Sequence, residues 1–214
     1  MIEFSNFSML SKFDTKVSFV DPANKTPDIS RRLLDTALDL FSRRGYEGTG
    51  VQEIVATAGV TKPTLYHYFG SKIGVLNALL DRDGKQLLNQ LKEAAVYSGD
   101  LPATLEAIVD AYFRFAKEHP SFYRLTLGLT FLPPEHEAAE AALAYFQRQT
   151  DILEALFTSA ARDHGNMRRR QLRYAIGLQG TINAYVARAI SHQGDLGEQS
   201  RRDLAHQFGH GIYS

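Results

Sequence analysis

Apolar residues recur along this chain at intervals of three and four, the spacing of one face of an α-helix. Ile29, Leu33, Ala37, Leu40 and Phe41 make the first stripe, opened by Thr26-Pro27 as a cap followed by proline and closed by Gly45. A short second helix is expected to begin near Thr49, where Thr49 and Gln52 have capping-box spacing. A tight turn at Ala58-Gly59-Val60 leads to a third helix, capped by Thr61 and tolerating Pro63 in its first turn. Ser71 caps a long fourth helix running through Val75, Leu76, Leu79, Leu80, Leu87, Leu88 and Leu91.

Beyond Gly99 the helical period continues. Leu105, Ile108, Val109, Tyr112, Phe113 and Ala116 form a stripe that closes at His119-Pro120. A shorter segment from Ser121 to Phe131 stops at Pro133-Pro134, and a long amphipathic one extends from about Glu135 to Ala161. Gly165-Asn166 ends it; helices near 168 to 192 and 197 to 210 follow, parted by the Gln193-Gly194-Asp195 turn. No alternating strand pattern, internal repeat or low-complexity tract is found, so the expected fold is all-α. Residues 1–25 carry no sustained period. They read as an arm that is disordered, packs on the first domain, or reaches a minor groove.

Composition narrows the class. The 214 residues are 44% hydrophobic and 22% charged, ordinary values for a soluble globular protein. No apolar run approaches the roughly 20 residues that span a bilayer, and the start MIEFSNFSMLSK does not read as a secretory signal. The absence of cysteine excludes disulfides, thiolate metal sites and cysteine nucleophiles, and suits a cytoplasmic location. Net charge is zero, although Arg43, Arg44, Lys62 and Lys72 outnumber Glu47 and Glu53 between residues 43 and 72.

That locally basic stretch holds the segment VQEIVATAGVTKPTLYHYF, Val51 to Phe69, which has the plan of a helix-turn-helix. Lys62, Thr64, Tyr66 and His67 supply polar groups on the outer face of the second helix, with Leu65 and Tyr68 or Phe69 facing inward. At the helix start Lys62 and Thr64 are placed to reach base edges, and Thr61 to offer a hydroxyl and backbone N–H groups to a phosphate. Tyr66 and His67 reach backbone or bases, and Pro63 meets a thymine methyl. Lys72 and Thr49 supply further phosphate contacts. Thr49, Thr61 and Ser71 also have the plainer role of helix caps.

The stretch TGVQEIVATAGVTKPTLYHYFGSKIGVLNALL, above all its GVTKPTLYHYFGSK core, resembles the TetR/AcrR family of bacterial transcriptional regulators over about residues 28 to 80. The resemblance implies an N-terminal three-helix helix-turn-helix domain, joined by a long fourth helix to a C-terminal helical ligand-binding and dimerisation domain. The boundaries on this chain are 26–80 and 81–214. It further implies a homodimer on a palindromic operator in double-stranded DNA, most simply a repressor released by a small-molecule effector. Two departures stand out. Val55 occupies a position where alanine is usual, and Ile73-Gly74 replaces an acidic residue and alanine, at a cost of about 1 kcal/mol for glycine in a helix.

In the C-terminal part aromatics are dense, and they serve either as bundle core or as pocket walls. Tyr112, Phe115, Tyr123, Phe131, Tyr145, Phe146 and Tyr174, with Gln149 and Gln179, form the candidate site for an uncharged lipophilic or aromatic effector. Ile176, Gly180, Ala184 and Ala187, with Leu204 and Phe208 on the last helix, form apolar seams that need burial on the parent domain or on a twin. His206 and His210 share a helix face but read as a solvated pair. No metal site, cofactor, membrane contact or catalytic constellation is expected. The rival reading is a DNA-binding dimer of the same fold that senses no small molecule or answers to a protein partner.

Overall fold

In the computed structural model, which describes residues 26–213, every regular element is helical. Residues 1–25, with the arm expected there, and the Thr26-Pro27 side chains lie outside the described residues. Helix α1, Thr26–Arg44, buries Leu33, Ala37 and Phe41 almost completely. Helix α2 is Val51–Thr57, starting at Gly50 and not at Thr49. The capping box does not form, because the Thr49 hydroxyl turns back to donate to the Gly45 carbonyl at 2.9 Å. Gly59, at φ +64°, makes the turn into α3, Lys62–Phe69. Thr61 holds the N-cap position of α3, but its hydroxyl pairs with that of Thr64 at 2.9 Å and caps no backbone N–H. Ser71 does cap α4, Lys72–Leu79, accepting from the Gly74 N–H at 3.0 Å.

The fourth helix is not continuous. Between α4 and α5, Lys85–Ala94, residues Leu80–Gly84 form a π-helical turn. The sequence Asp81-Arg82-Asp83-Gly84 offers no apolar side chain for the buried face, and the wider turn restores the phase so that Leu87, Leu88 and Leu91 point inward. Gly84 is required at this point. A Cβ there would lie 2.7 Å from Cε2 of Tyr145.

Helix α6, Leu101–Glu118, is capped by the Asp100 carboxylate, which accepts from the Ala103 N–H at 3.0 Å. It gives way at His119 to α7, Pro120–Leu129. Helix α8 spans Glu137–Ala160, a 3-10 turn covers Gly165–Met167, and α9, Gln171–Ile190, and α10, Glu198–Tyr213, follow. The side chains sort into two cores. One gathers Leu33, Ile54, Leu65 and Leu76 of α1–α4 with Leu125 and Leu129 of α7 and Ala138 and Ala142 of α8. The other joins α5 to α10 around Tyr112, Phe115, Phe122, Leu153, Phe157 and Ile182. Each fully buried large side chain contributes about 1.5–3 kcal/mol. Helices α7 and α8 therefore belong to both halves of the molecule.

Candidate functional site

Helix α3 is held from beneath by Leu65, which is fully buried, while Tyr68 and Phe69 are half-buried. Thr61, Lys62, Pro63, Tyr66 and His67 are exposed and Thr64 is partly so. A helix anchored by one apolar face with this polar face open to solvent has the shape and chemistry to enter a major groove. Val55, the larger residue at the α2–α3 contact, is buried in the core without disturbing this arrangement.

Two of the expected phosphate contacts change. Thr49 is buried and its hydroxyl is committed to the Gly45 carbonyl, which removes it from the candidate interface. Lys72 is drawn inward: its Nζ lies 4.0 Å above the Tyr46 ring and 3.8 Å from Glu47 Oε1. Burial lowers its pKa, opposed by Glu47 and Glu137. Arg44 pairs with Glu53 of α2, and Arg43 with Asp39 at 2.9 Å.

Gly74 has a reason that spacing alone does not reveal. A Cβ at this position would fall 1.8 Å from the Phe69 carbonyl oxygen, so the α3–α4 corner closes only over glycine. The expected propensity cost is thus overridden by a close backbone approach.

A second assembly lies in the C-terminal core. The Tyr112 hydroxyl donates to Gln149 Oε1 at 3.0 Å, Gln179 Nε2 donates to the same oxygen at 3.3 Å, and the Thr150 hydroxyl donates to Gln179 Oε1 at 2.7 Å. Tyr123 donates to Asn183 Oδ1 at 2.6 Å. Burial pushes the Tyr112 and Tyr123 phenols well above the usual tyrosine range; the neighbouring tyrosines add to this, and Gln179 opposes it at Tyr112. The Tyr145 phenol is raised by burial and by Asp83. Tyr112, Tyr123, Tyr145, Gln149 and Gln179 are thus brought together, and Gln149 is buried. Phe115 and Phe122 stand 5.9 Å apart edge to face, and Phe122 meets Tyr145 at 5.8 Å. Phe146 is half-buried beside Tyr145, and its carbonyl accepts from Gln179.

Phe131 does not join them. It sits past the end of α7, 89% exposed. Tyr174 instead packs on Phe157, at the contact of α8 and α9. Of the expected interface residues, Ile176, Gly180, Ala184 and Ala187 are exposed along α9. Leu204 is a correction: it is 1% exposed, spent in the chain's own core. Phe208 is half-buried and packs on Phe157, with Gly177 beneath it.

Two polar ties absent from the sequence reading link the C-terminal helices to the first helices of the chain. Asp83, buried in the π-turn, takes a bidentate pair from Arg82 at 2.7 and 3.0 Å, and Arg82 continues to Asp35 of α1 at 2.7 Å. The Asp83 pairing, then Asp35, raises the Arg82 pKa against burial. At the other tie, Tyr46 donates to Glu137 at 3.2 Å, and His136 Nε2 lies 3.0 Å from Glu47. His136 Nδ1 accepts from the Ala138 N–H at 3.1 Å, so this partner set requires the Nε2–H tautomer, donating to Glu47. Burial, then Glu137, pushes the Tyr46 phenol up. The charged Asp-Arg-Asp-Gly run inside an apolar helix was the one signal in the sequence that pointed to the first tie.

Comparison with known proteins agrees with this geometry. Residues 33–79 match the family described as bacterial regulatory proteins, tetR family. The HTH-type transcriptional activator FasR of Mycolicibacterium smegmatis is 34% identical over 157 residues, 72% of this chain and 70% of the relative. The chain belongs to the TetR family. The HTH-type transcriptional repressor KstR2 of Rhodococcus jostii is 37% identical over 91 residues, 41% of this chain and 45% of that protein. Among solved TetR-like folds, the regulator FadR from Bacillus subtilis, in complex with stearoyl-CoA, superposes with a TM-score of 0.69 at 19% identity, covering 86% of this chain and 97% of that one. The chain is a TetR-type transcriptional regulator, with α2 and α3 as its helix-turn-helix. No helix among the described residues is long and apolar enough to cross a membrane.

Proposed function

We propose that the protein is a homodimeric, cytoplasmic repressor that reads a palindromic operator through α3 and leaves it when a small lipophilic or aromatic effector binds. Residues 26–80 are the DNA-reading part, and residues 81–214 hold the effector and the dimer contact. The observation that carries the DNA reading is the open face of α3, with Lys62, Pro63, Tyr66 and His67 in solvent above a buried Leu65. Lys62 and Thr64 read bases; Thr61, Tyr66 and His67 fix the register, and Lys72 makes a phosphate contact once it leaves Glu47. Dimerisation is supported by the open α9 stripe, with Ile176 at 55% exposure, and by a net charge of zero, which leaves one copy little phosphate affinity.

The effector reading is supported by the buried Tyr112–Gln149–Gln179 cluster and by its contact with the π-turn, where Tyr145 lies against Gly84. An effector that shifts Tyr145 acts on Asp83 and Arg82, and so on Asp35 of α1. A small rotation suffices, because half-sites one turn apart demand a spacing of about 34–36 Å. The stearoyl-CoA complex of FadR is a precedent for a lipophilic ligand in this fold. Closure of the cluster to solvent, with Gln149 at 1% exposure, favours the alternative of a dimer that senses no small molecule.

Selection of genomic fragments by the purified protein, followed by footprinting, tests the first reading; two protected half-sites are expected, and no retained fragment would refute it. Lys62→Ala is expected to cost about 1–3 kcal/mol and to relax base preference, whereas Lys72→Ala weakens all sequences alike. Effector affinity measured with and without operator separates the alternatives, since coupling must be reciprocal and equal values exclude it. FasR is named an activator and KstR2 a repressor. Expression from the operator's promoter in a deletion strain therefore decides the sign: it rises for a repressor and falls for an activator.

A further inference from the structure

We propose that Tyr145 and Gln149 form a two-donor clasp for the carbonyl oxygen of a neutral, otherwise apolar molecule. The inference rests on the effector reading above and specifies the chemistry of that site. The two residues are one turn apart on α8, on the same face, at 4% and 1% exposure. Both end in a buried polar atom without a hydrogen-bond partner: the Tyr145 hydroxyl and Gln149 Nε2. Such atoms are rare in folded proteins, and two in one cluster point to a missing partner.

The surrounding bonds fix which end of Gln149 is free. The Phe146 carbonyl only accepts, so the Gln179 atom 3.2 Å from it is the amide nitrogen. Gln179 Oε1 then faces the Thr150 hydroxyl at 2.7 Å, and its nitrogen also faces Gln149 at 3.3 Å. Gln149 must answer that N–H with its oxygen, which also accepts from Tyr112. Its own nitrogen is left as a donor. The Tyr145 hydroxyl, protonated at neutral pH, is the second.

Two donors select an acceptor, and the charges select a neutral one. Among the described residues, the hydrogen-bond partners of Tyr112, Gln149 and Gln179 include no Lys, Arg or His side chain. The carboxylate that acts on Tyr145 is Asp83, already paired with Arg82. A ligand carboxylate would be buried there with no free cation to pair it, Arg82 being committed to Asp83 and Asp35, so an ester, thioester, ketone or amide carbonyl is favoured over a free acid. Phe122 and Phe146, which pack on Tyr145, supply the apolar wall for its hydrocarbon part.

The full-length protein is titrated with methyl laurate, with dodecyl methyl ether, which lacks only the carbonyl oxygen, and with laurate. The ester is expected to bind at least about tenfold more tightly than the ether, the worth of one or two good hydrogen bonds, and more tightly than laurate. In Tyr145→Phe the ester-over-ether preference is expected to fall several-fold, while the melting temperature of the ligand-free protein holds or rises, because an unpartnered hydroxyl is removed. Equal binding of ester and ether overturns the clasp and leaves the effector reading standing. Binding of none of the three overturns the clasp, and with it the effector reading for aliphatic ligands. A lower melting temperature in Tyr145→Phe together with an unchanged ester preference would assign the donors to structural water, and the clasp would fall.

Discussion

At Gly74 a rule of helix propensity and a fact of packing point in opposite directions. Propensity favours alanine by about 1 kcal/mol, but the Phe69 carbonyl oxygen stands 1.8 Å from where the new Cβ would be. A backbone oxygen cannot step aside as a side chain can. Gly74→Ala is therefore expected to destabilise by about 1–3 kcal/mol, the range for overpacking, and denaturant unfolding would read it. An increase in stability would mean that the corner relaxes freely. The tyrosines give a second outcome at this scale. Tyr112, Tyr123 and Tyr145 have folded pKa values raised above the ordinary 10.0, chiefly by burial. Above pH 10 the unfolded chain ionises first, so their contribution is full below that value and is lost as pH rises through the folded values. Phenolate absorbance from these residues is expected to appear only as the protein unfolds, and early ionisation without unfolding would contradict it. Which side chains face out or in was legible where chemistry and position coincide, as at the exposed Lys62 and the buried Leu65. Contacts were illegible where a partner lies far along the chain, as with Tyr46 and Glu137, or where a short hydroxyl finds a nearer carbonyl, as with Thr49.

Among the elements, helices announced themselves through apolar spacing and caps, and Ser71 and the His119-Pro120 break fall where the pattern puts them. The π-turn did not. Periodicity registers that Leu80 and Leu87 are both apolar, but not that a turn with i to i+5 hydrogen bonds lies between them to carry the polar run Asp81–Gly84 past the buried face. The turn also concentrates charge, since Asp83 is nearly buried and Arg82 bridges it to α1. Arg82→Gln is expected to lower stability by roughly 2 kcal/mol, less than a fully buried pair would, because Arg82 is about one-third exposed. The functional outcome is the sharper check: effector-driven release of operator should weaken more than operator affinity itself. If both change in proportion, the tie is merely structural.

For the whole molecule the open question is the second copy. On the α9 stripe, Gly180, Ala184 and Ala187 leave room for a close helix contact, and Ile176 beside them stands exposed as an apolar anchor. Ile176→Arg is expected to yield monomers in sedimentation, with operator affinity reduced by at least about a hundredfold, since each copy then holds only one half-site. A dimer that persists would place the interface elsewhere. The sequence marks a candidate dimer face on α9, where small residues repeat and the structure leaves the stripe exposed. It misassigned Leu204 because an apolar seam on a terminal helix looks the same whether the parent core or a twin covers it.

The core shared by α1–α4 with Leu125, Leu129, Ala138 and Ala142 bears on how freely such regulators exchange parts. Cut after residue 80, the head would lose the floor on which α1 and α4 rest and expose it to water. A fragment of residues 26–80 is therefore expected to show little helical circular dichroism and no cooperative melt. A chimera joined at that boundary inherits a mismatched seam, whereas one that transplants α7 and the first turns of α8 together with the head keeps it whole. The reading head is thus a portable unit in sequence but not in space.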